Sequence, residues 1–346
     1  MPSFPRAAPS DGYPTPSPSQ LAGISQRADG TLPNAGAPPA LSEGSVPLFQ
    51  AIALVEEFEV ALFSSILQNI TNNVPGFTEF NLLDRDAVVN ILDTVVDQEE
   101  LHTINARNLL GAFQKLAPLP CQYKFPSTTF TQALDVAAIW TDVGLGALQD
   151  VLELVGTNGD DVLLRDLAAV VGQEGEQEGF YRMLLGRKPA ERPFPTFALG
   201  PYAFSYVVNT FIVPGSCPFD ISDINLPLFG SLTIQNGFDV APKDQTLTFT
   251  AELTDVAEAD PYIGGNGSGL FVTYFTGQLK PISEPLSNVR WSGREVTFQA
   301  NFPFTANLMW GLTVASLTTT GSFNDASNVL NATLAAPGLI NINDLY

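Results

Sequence analysis

Apolar residues recur every three to four positions along four stretches, about 46–70, 84–115, 131–155 and 160–186, separated by Pro, Gly and Asn. That period predicts four helices, with Asp84 and Asp160 placed as N-caps of the second and fourth. After about Pro227 the period falls to two in Ser231–Gln235, Thr246–Leu253, Leu270–Phe275, Glu295–Ala300 and Leu312–Leu317. Alternating, Thr-rich runs bounded by turn residues predict strands of a small antiparallel β-sandwich. The predicted fold class is therefore α+β multidomain: a four-helix bundle over 45–187, then a β-sandwich over 230–346. A Pro- and Phe-rich connector, 188–229, is expected to pack on the bundle as extended chain. Residues 1–44 hold nine of the 27 prolines and show no apolar period, which predicts a disordered or extended leader.

Charge narrows the function classes. The chain has 346 residues with 15 Lys+Arg against 36 Asp+Glu, a formal charge of −21. Phosphate binding relies on clustered cations, so this balance argues against nucleic acid and against anionic lipid. No apolar run reaches the roughly 18 residues of a membrane span. The start shows no secretory signal, and a cleaved or missing leader stays open. One histidine and two cysteines exclude a His-rich zinc site, a CxxC redox centre and a four-cysteine cluster. No Gly-x-Ser-x-Gly elbow accompanies His102, and no phosphate-binding Gly-x-x-x-x-Gly-Lys loop is present.

Candidate chemistry emerges when each helix is read on the 4,3 spacing that keeps one seam facing its partners. The second helix gives Val88, Leu92, Val95, Glu99, His102, Ala106, Leu109 and Phe113. The first gives Ile52, Glu56, Glu59, Phe63 and Ile66, and the fourth gives Leu163, Leu167, Val170, Glu174, Gln177, Tyr181 and Leu184. Each seam is broken by polar residues at two consecutive positions. A buried carboxylate is costly unless paired, protonated or bound to a cation, so three such breaks imply one shared polar layer. Glu99 and His102 lie at i and i+3, on one helix face, the Glu-x-x-His spacing of di-iron carboxylate bundles. A metal ion would satisfy the layer; a hydrogen-bonded Glu99–His102 pair is the alternative. Glu57, Glu176 and Glu178 fall off the seam and read as solvated.

Three segments carry a resemblance: Ala53-Leu-Val-Glu-Glu-Phe-Glu-Val-Ala-Leu-Phe63, Asp97-Gln-Glu-Glu-Leu-His102, and Gly172-Gln-Glu-Gly-Glu-Gln-Glu-Gly-Phe-Tyr-Arg-Met-Leu-Leu-Gly186. They resemble fungal ferritin-like proteins, specifically the late sexual development and stress-response group, as do Pro120-Cys-Gln-Tyr-Lys-Phe-Pro126 and Gly215-Ser-Cys-Pro218. The resemblance covers about residues 45–220. It implies a ferritin-like bundle in a protein that is usually secreted, and no settled activity.

A full di-iron set would also need a carboxylate on the third helix and a second Glu-x-x-His on the fourth. The third seam, Leu134, Ala138, Thr141, Leu145, Leu148 and Leu152, has Thr141 there, with Asp142 one residue off; the fourth has Gln177 in place of histidine. An amide oxygen is a poor iron ligand beside imidazole. The expected site is thus degenerate. It holds one iron, manganese or zinc ion, or none, through Glu56 or Glu59 with Glu99, His102 and Glu174, and Gln177 beside them as a hydrogen-bond donor or weak ligand.

Cys121 and Cys217 lie in Pro-rich loops and read either as a disulfide or as two buried thiols. Asn69, Asn266 and Asn331 begin N-glycosylation triplets, and Asn266 sits in a Gly-rich turn. The expectation is an extracellular or cell-wall-associated protein with a structural, developmental or stress-related role, and cell-wall or matrix components as partners. The alternative is a metal-dependent oxidase or iron-sequestering protein using the carboxylate and histidine layer. A further option is carbohydrate binding by Trp291, Trp310 and Tyr274, which are otherwise core residues of the sandwich.

Overall fold

The computed structural model describes residues 11–235, 237, 240–343 and 345. Contacts divide the chain into two compact units. The first comprises Met1–Ala138, Val151–Leu185 and Thr210–Leu226, described from residue 11 on; the second comprises Ile139–Asp150, Gly186–Asn209 and Pro227–Tyr346. Long helices in the one and antiparallel sheets in the other make the protein α+β.

Among the described residues six α-helices precede the first strand: α1 Pro18–Arg27, α2 Val46–Thr71, α3 Arg85–Ala112, α4 Phe130–Thr157, α5 Leu164–Leu184 and α6 Gly200–Thr210. The four long predicted helices correspond to α2, α3, α4 and α5. Asp84 caps α3 as expected, its carboxylate accepting the Ala87 N–H at 2.9 Å. Asp160 does not cap α5. A short 3-10 turn, Asp161–Leu163, intervenes, and the Asp160 carboxylate accepts the Ser42 N–H at 3.2 Å instead. α2 is apolar over most of its circumference and packs side by side with α3, so the helix is buried almost throughout.

Within the expected disordered or extended leader, Pro18–Arg27 is helical, while residues 31–42 hold no helix or strand. Ser17 and Gln20 form a capping box that starts α1, and Ile24 and Ala28 are buried with Val60, Leu101 and Ile104. Apolar contact with α2 and α3, invisible as a period in so short a helix, is what orders this stretch.

Cys121 and Cys217 are joined in a disulfide. The chain beside it is tied by the Lys124 N–H to Phe211 O at 2.8 Å and the Val213 N–H to Gln122 O at 2.9 Å. Phe58 of α2 lies against Phe211 at 4.6 Å and Tyr123 at 5.8 Å between ring centroids.

The second unit contains two four-stranded antiparallel sheets. The strands are β1 Ser231–Ile234, β2 Gln245–Glu252, β3 Phe271–Thr276, β4 Ile282–Pro285, β5 Ser287–Ser292, β6 Glu295–Phe302, β7 Gly311–Thr318 and β8 Thr333–Ile342. Their orders are β1-β2-β6-β5 and β4-β3-β7-β8. Leu247, Phe249, Val296 and Phe298 of one sheet share a single core with Val272, Tyr274, Leu317 and Ile340 of the other, which makes the pair a sandwich. Phe249 and Phe298 are register partners, stacked at 5.5 Å. β7 and β8 are buried along their whole length. Their second face is covered by α6, where Tyr202 meets Phe275 at 5.9 Å and its hydroxyl bonds Thr333 Oγ1 at 2.6 Å. Gly186–Asn209, half of the expected connector, thus belongs with the sheets.

Candidate metal centre

α2, α3 and α5 each bring carboxylates to one place in the first unit. Ligand atoms of Glu56, Glu99, His102 and Glu174 all lie within 4.8 Å of one another. The three carboxylates are nearly inaccessible, at 3%, 1% and 3% exposure. The His102 side chain retains 15%, which gives the group an edge toward solvent.

His102 Nδ1 stands 3.0 Å from Glu99 Oε2 and 3.5 Å from Glu56 Oε2. The shorter contact is the hydrogen bond, and Glu56 Oε2 is buried without one. The other Glu99 oxygen accepts from Gln177 Nε2 at 2.8 Å, while Tyr181 Oη donates to Gln177 Oε1 at 3.1 Å. Gln177 therefore presents its amide hydrogens to Glu99 and uses its oxygen on a tyrosine. That orientation suits a residue holding a carboxylate in place rather than binding a cation. Tyr181 is fully buried and stacks on Phe63 at 5.4 Å.

The electrostatics follow from burial. Loss of water pushes Glu174 well above the usual carboxylate range, and the Glu56 and Glu99 charges push it further. Burial also raises Glu56, though His102 works against it. For Glu99 burial acts upward too, but the His102 charge and hydrogen bonds from His102 and Gln177 outweigh it and hold the carboxyl low. His102, which burial alone would lower, is held well above its ordinary value, chiefly by Glu99 and Glu56. Burial raises Tyr181, with Glu99 and Glu59 adding to it. The metal-free group thus favours an imidazolium and carboxylate pair at His102 and Glu99, with Glu174 and, against the pull of His102, Glu56 shifted toward holding their protons.

The donor set fits one divalent cation. Three carboxylates and an imidazole suit iron, manganese or zinc, and the buried Glu56 oxygen makes no hydrogen bond, only a 3.5 Å approach to His102 Nδ1.

Other residues singled out in the sequence fall elsewhere. Glu59 is buried but is not one of the four, and Thr141 and Asp142 are assigned to the second unit. Glu57, expected in solvent, is 1% exposed and accepts a hydrogen bond from Tyr13 Oη. Glu178 is likewise buried rather than solvated; Glu176 is exposed. Both corrections arise because α2 and α5 are covered on more than their seam faces. Asn266 is exposed, as is Asn331, and Asn69 is half-buried in the last turn of α2. Tyr274 is inside the sandwich core, and Trp291 and Trp310, both half-buried, pack against it.

Beside Gln177, two further amides that the sequence did not mark, Gln98 and Gln173, adjoin the site. Gln98 Oε1 accepts from Gln173 Nε2 at 2.9 Å and from Gln177 Nε2 at 3.2 Å. No spacing rule marks Gln98, which lies off the seam. Among the described residues no helix is long and apolar enough to cross a membrane. No protein-family model matches the chain, and no characterised protein is significantly similar to it in sequence.

Proposed function

We propose that this chain is a secreted protein of ferritin-like helical architecture that holds a single divalent cation and serves a structural role at a cell surface or matrix. The observation that carries the reading is the convergence of Glu56, Glu99, His102 and Glu174 from three helices, with a buried Glu56 oxygen whose nearest donor, His102 Nδ1, stands at 3.5 Å and hydrogen-bonds Glu99 instead. Each of these residues would supply a ligand, and Gln177 would hold Glu99. The cation would supply positive charge that fixes three helices together and polarises whatever it binds. Gln177, which stands where a second Glu-x-x-His would place a histidine and spends its amide on Glu99, supports a one-ion site over a two-ion site, and hence a structural role over oxidase chemistry. The disulfide, which persists in oxidising surroundings, and the exposed Asn266 triplet support secretion.

The second reading is a metal-free polar layer. The direct 3.0 Å contact between His102 Nδ1 and Glu99 Oε2 favours it, since the pair can balance its own charge. Metal content of protein purified without chelators separates the two. About one iron, manganese or zinc per chain, lost in Glu99→Ala and His102→Ala, supports the cation site. Fewer than one ion in ten chains, after incubation with ferrous and manganous salts, supports the metal-free layer.

A further inference from the structure

Residues 11–32 lie across α2 and α3. Tyr13, Ile24 and Ala28 are buried with Val60, Leu101 and Ile104, and Leu21 and Leu32 pack at the edge. Three polar contacts fasten the segment. Tyr13 Oη donates to Glu57 Oε2 at 2.5 Å. The Arg27 guanidinium spans Asp97, with Nε to Oδ2 at 2.8 Å and Nη2 to Oδ1 at 2.6 Å. Gln98 Nε2 donates to Ala28 O at 3.4 Å.

The positions of these contacts are informative. Glu57 follows Glu56, and Asp97 and Gln98 immediately precede Glu99, so the fastenings sit on the helix turns that carry two of the four candidate ligands. Gln98 also accepts from Gln177, whose amide holds Glu99. A hydrogen-bonded path therefore runs from the Ala28 carbonyl through Gln98 and Gln177 to a ligand oxygen. Groups bonded directly to a ligand, as Gln177 is to Glu99, typically change metal affinity by about 10- to 100-fold, and Gln98 acts on that bond through Gln177.

The segment is also suited to release. A 10-residue helix is marginal in water without tertiary contacts, so the helicity of α1 depends on docking. The chain that follows, residues 33–37, is exposed and contains no helix or strand. Undocking would be a local event that leaves the long helices in place.

We propose that residues 11–32 form a releasable strap that positions Glu99, so that docking and release of the strap regulate cation affinity at the neighbouring site. This rests on the cation reading given under Proposed function.

The test uses the full chain with manganous ion, in two variants. Ile24→Asp with Arg27→Ala undocks the strap; Gln98→Leu cuts the path while leaving its apolar contacts intact. Calorimetric Mn2+ titration is read beside hydrogen exchange over residues 17–28, and beside the ring signals of the protein's single histidine. The expected result is a Kd at least about tenfold weaker in both variants. Exchange protection at 17–28 should be lost only in the first, and the metal-free His102 signals should shift in both. Mn2+ affinity within twofold of wild type in a folded, undocked variant overturns the strap. If that variant does not fold, Gln98→Leu decides alone: an unchanged Kd overturns the proposal, and a tenfold loss supports it. If the wild-type chain takes up no Mn2+, the cation reading itself fails and the strap proposal falls with it.

Discussion

Gln177 Nε2 donates to Glu99 Oε1 at 2.8 Å, from the helix position where a second Glu-x-x-His would place an imidazole. Gln177 supports a candidate ligand: the amide fixes the rotamer of Glu99 while Tyr181 fixes the amide. Replacing Gln177 by Leu keeps the bulk and removes the donor. Divalent-cation affinity then drops by about 10- to 100-fold. Calorimetric titration of Gln177→Leu against wild type checks this, and a Kd within twofold of wild type would show that Glu99 needs no such support.

Without metal the protein loses stability as pH rises above neutrality. Glu174 and His102 both bind their protons more tightly folded than unfolded. Their contribution is complete below their unfolded values, about 4.3 for glutamate and 6.5 for histidine, and is lost as pH climbs through the raised folded values. Glu99 is shifted the opposite way, so its contribution is present above the ordinary glutamate range and disappears in acid. Thermal melts in chelator should show a lower Tm at pH 9 than at pH 7, with a smaller difference in Glu174→Gln. A Tm that does not change between these pH values would contradict the protonation pattern.

α5 carries Glu174 and Gln177 on a backbone weakened by Gly172, Gly175 and Gly179. A methyl group at Gly172 or Gly175 would meet no atom within 4 Å. Gly175→Ala should therefore stabilise the protein by about 0.5–1 kcal/mol through helix propensity and chain entropy. Chemical denaturation measures it; a loss of stability would mean that the position is not open.

The disulfide closes a loop with a sequence separation of 96. Cross-links over loops of this size contribute about 2–5 kcal/mol. Cys121→Ser with Cys217→Ser should lower unfolding free energy by that amount while leaving the Phe58, Tyr123 and Phe211 ring cluster in place. Denaturant titration gives the first quantity and near-ultraviolet circular dichroism the second.

Much of the helical layout was legible because its signals are local and repeated. Long 3.6-period runs marked α2 to α5, and Asp84 marked a start that the structure keeps. Glu56, Glu99, His102 and Glu174 stood out because each interrupts an apolar seam, a contrast that survives without any knowledge of neighbours. Glu59 interrupts the same seam yet is not among the four, since a seam position gives the face and not the reach of a side chain. β8 was not legible: Thr-Leu-Ala-Ala-Pro-Gly-Leu-Ile-Asn-Ile is buried on both faces and has no alternation, and Pro337 argues against a strand. β4 and β5 are short and largely polar. α1 was hidden in Pro-rich surroundings, its helix specified by a capping box and by apolar partners 30 to 80 residues away in the chain.

Anomalous diffraction from crystals soaked in manganous salt tests the cation site most directly. A single anomalous peak within bonding distance of Glu56, Glu99, His102 and Glu174 is the predicted result, with Gln177 still bonded to Glu99. No peak at that position, with the His102 to Glu99 hydrogen bond kept, would contradict it.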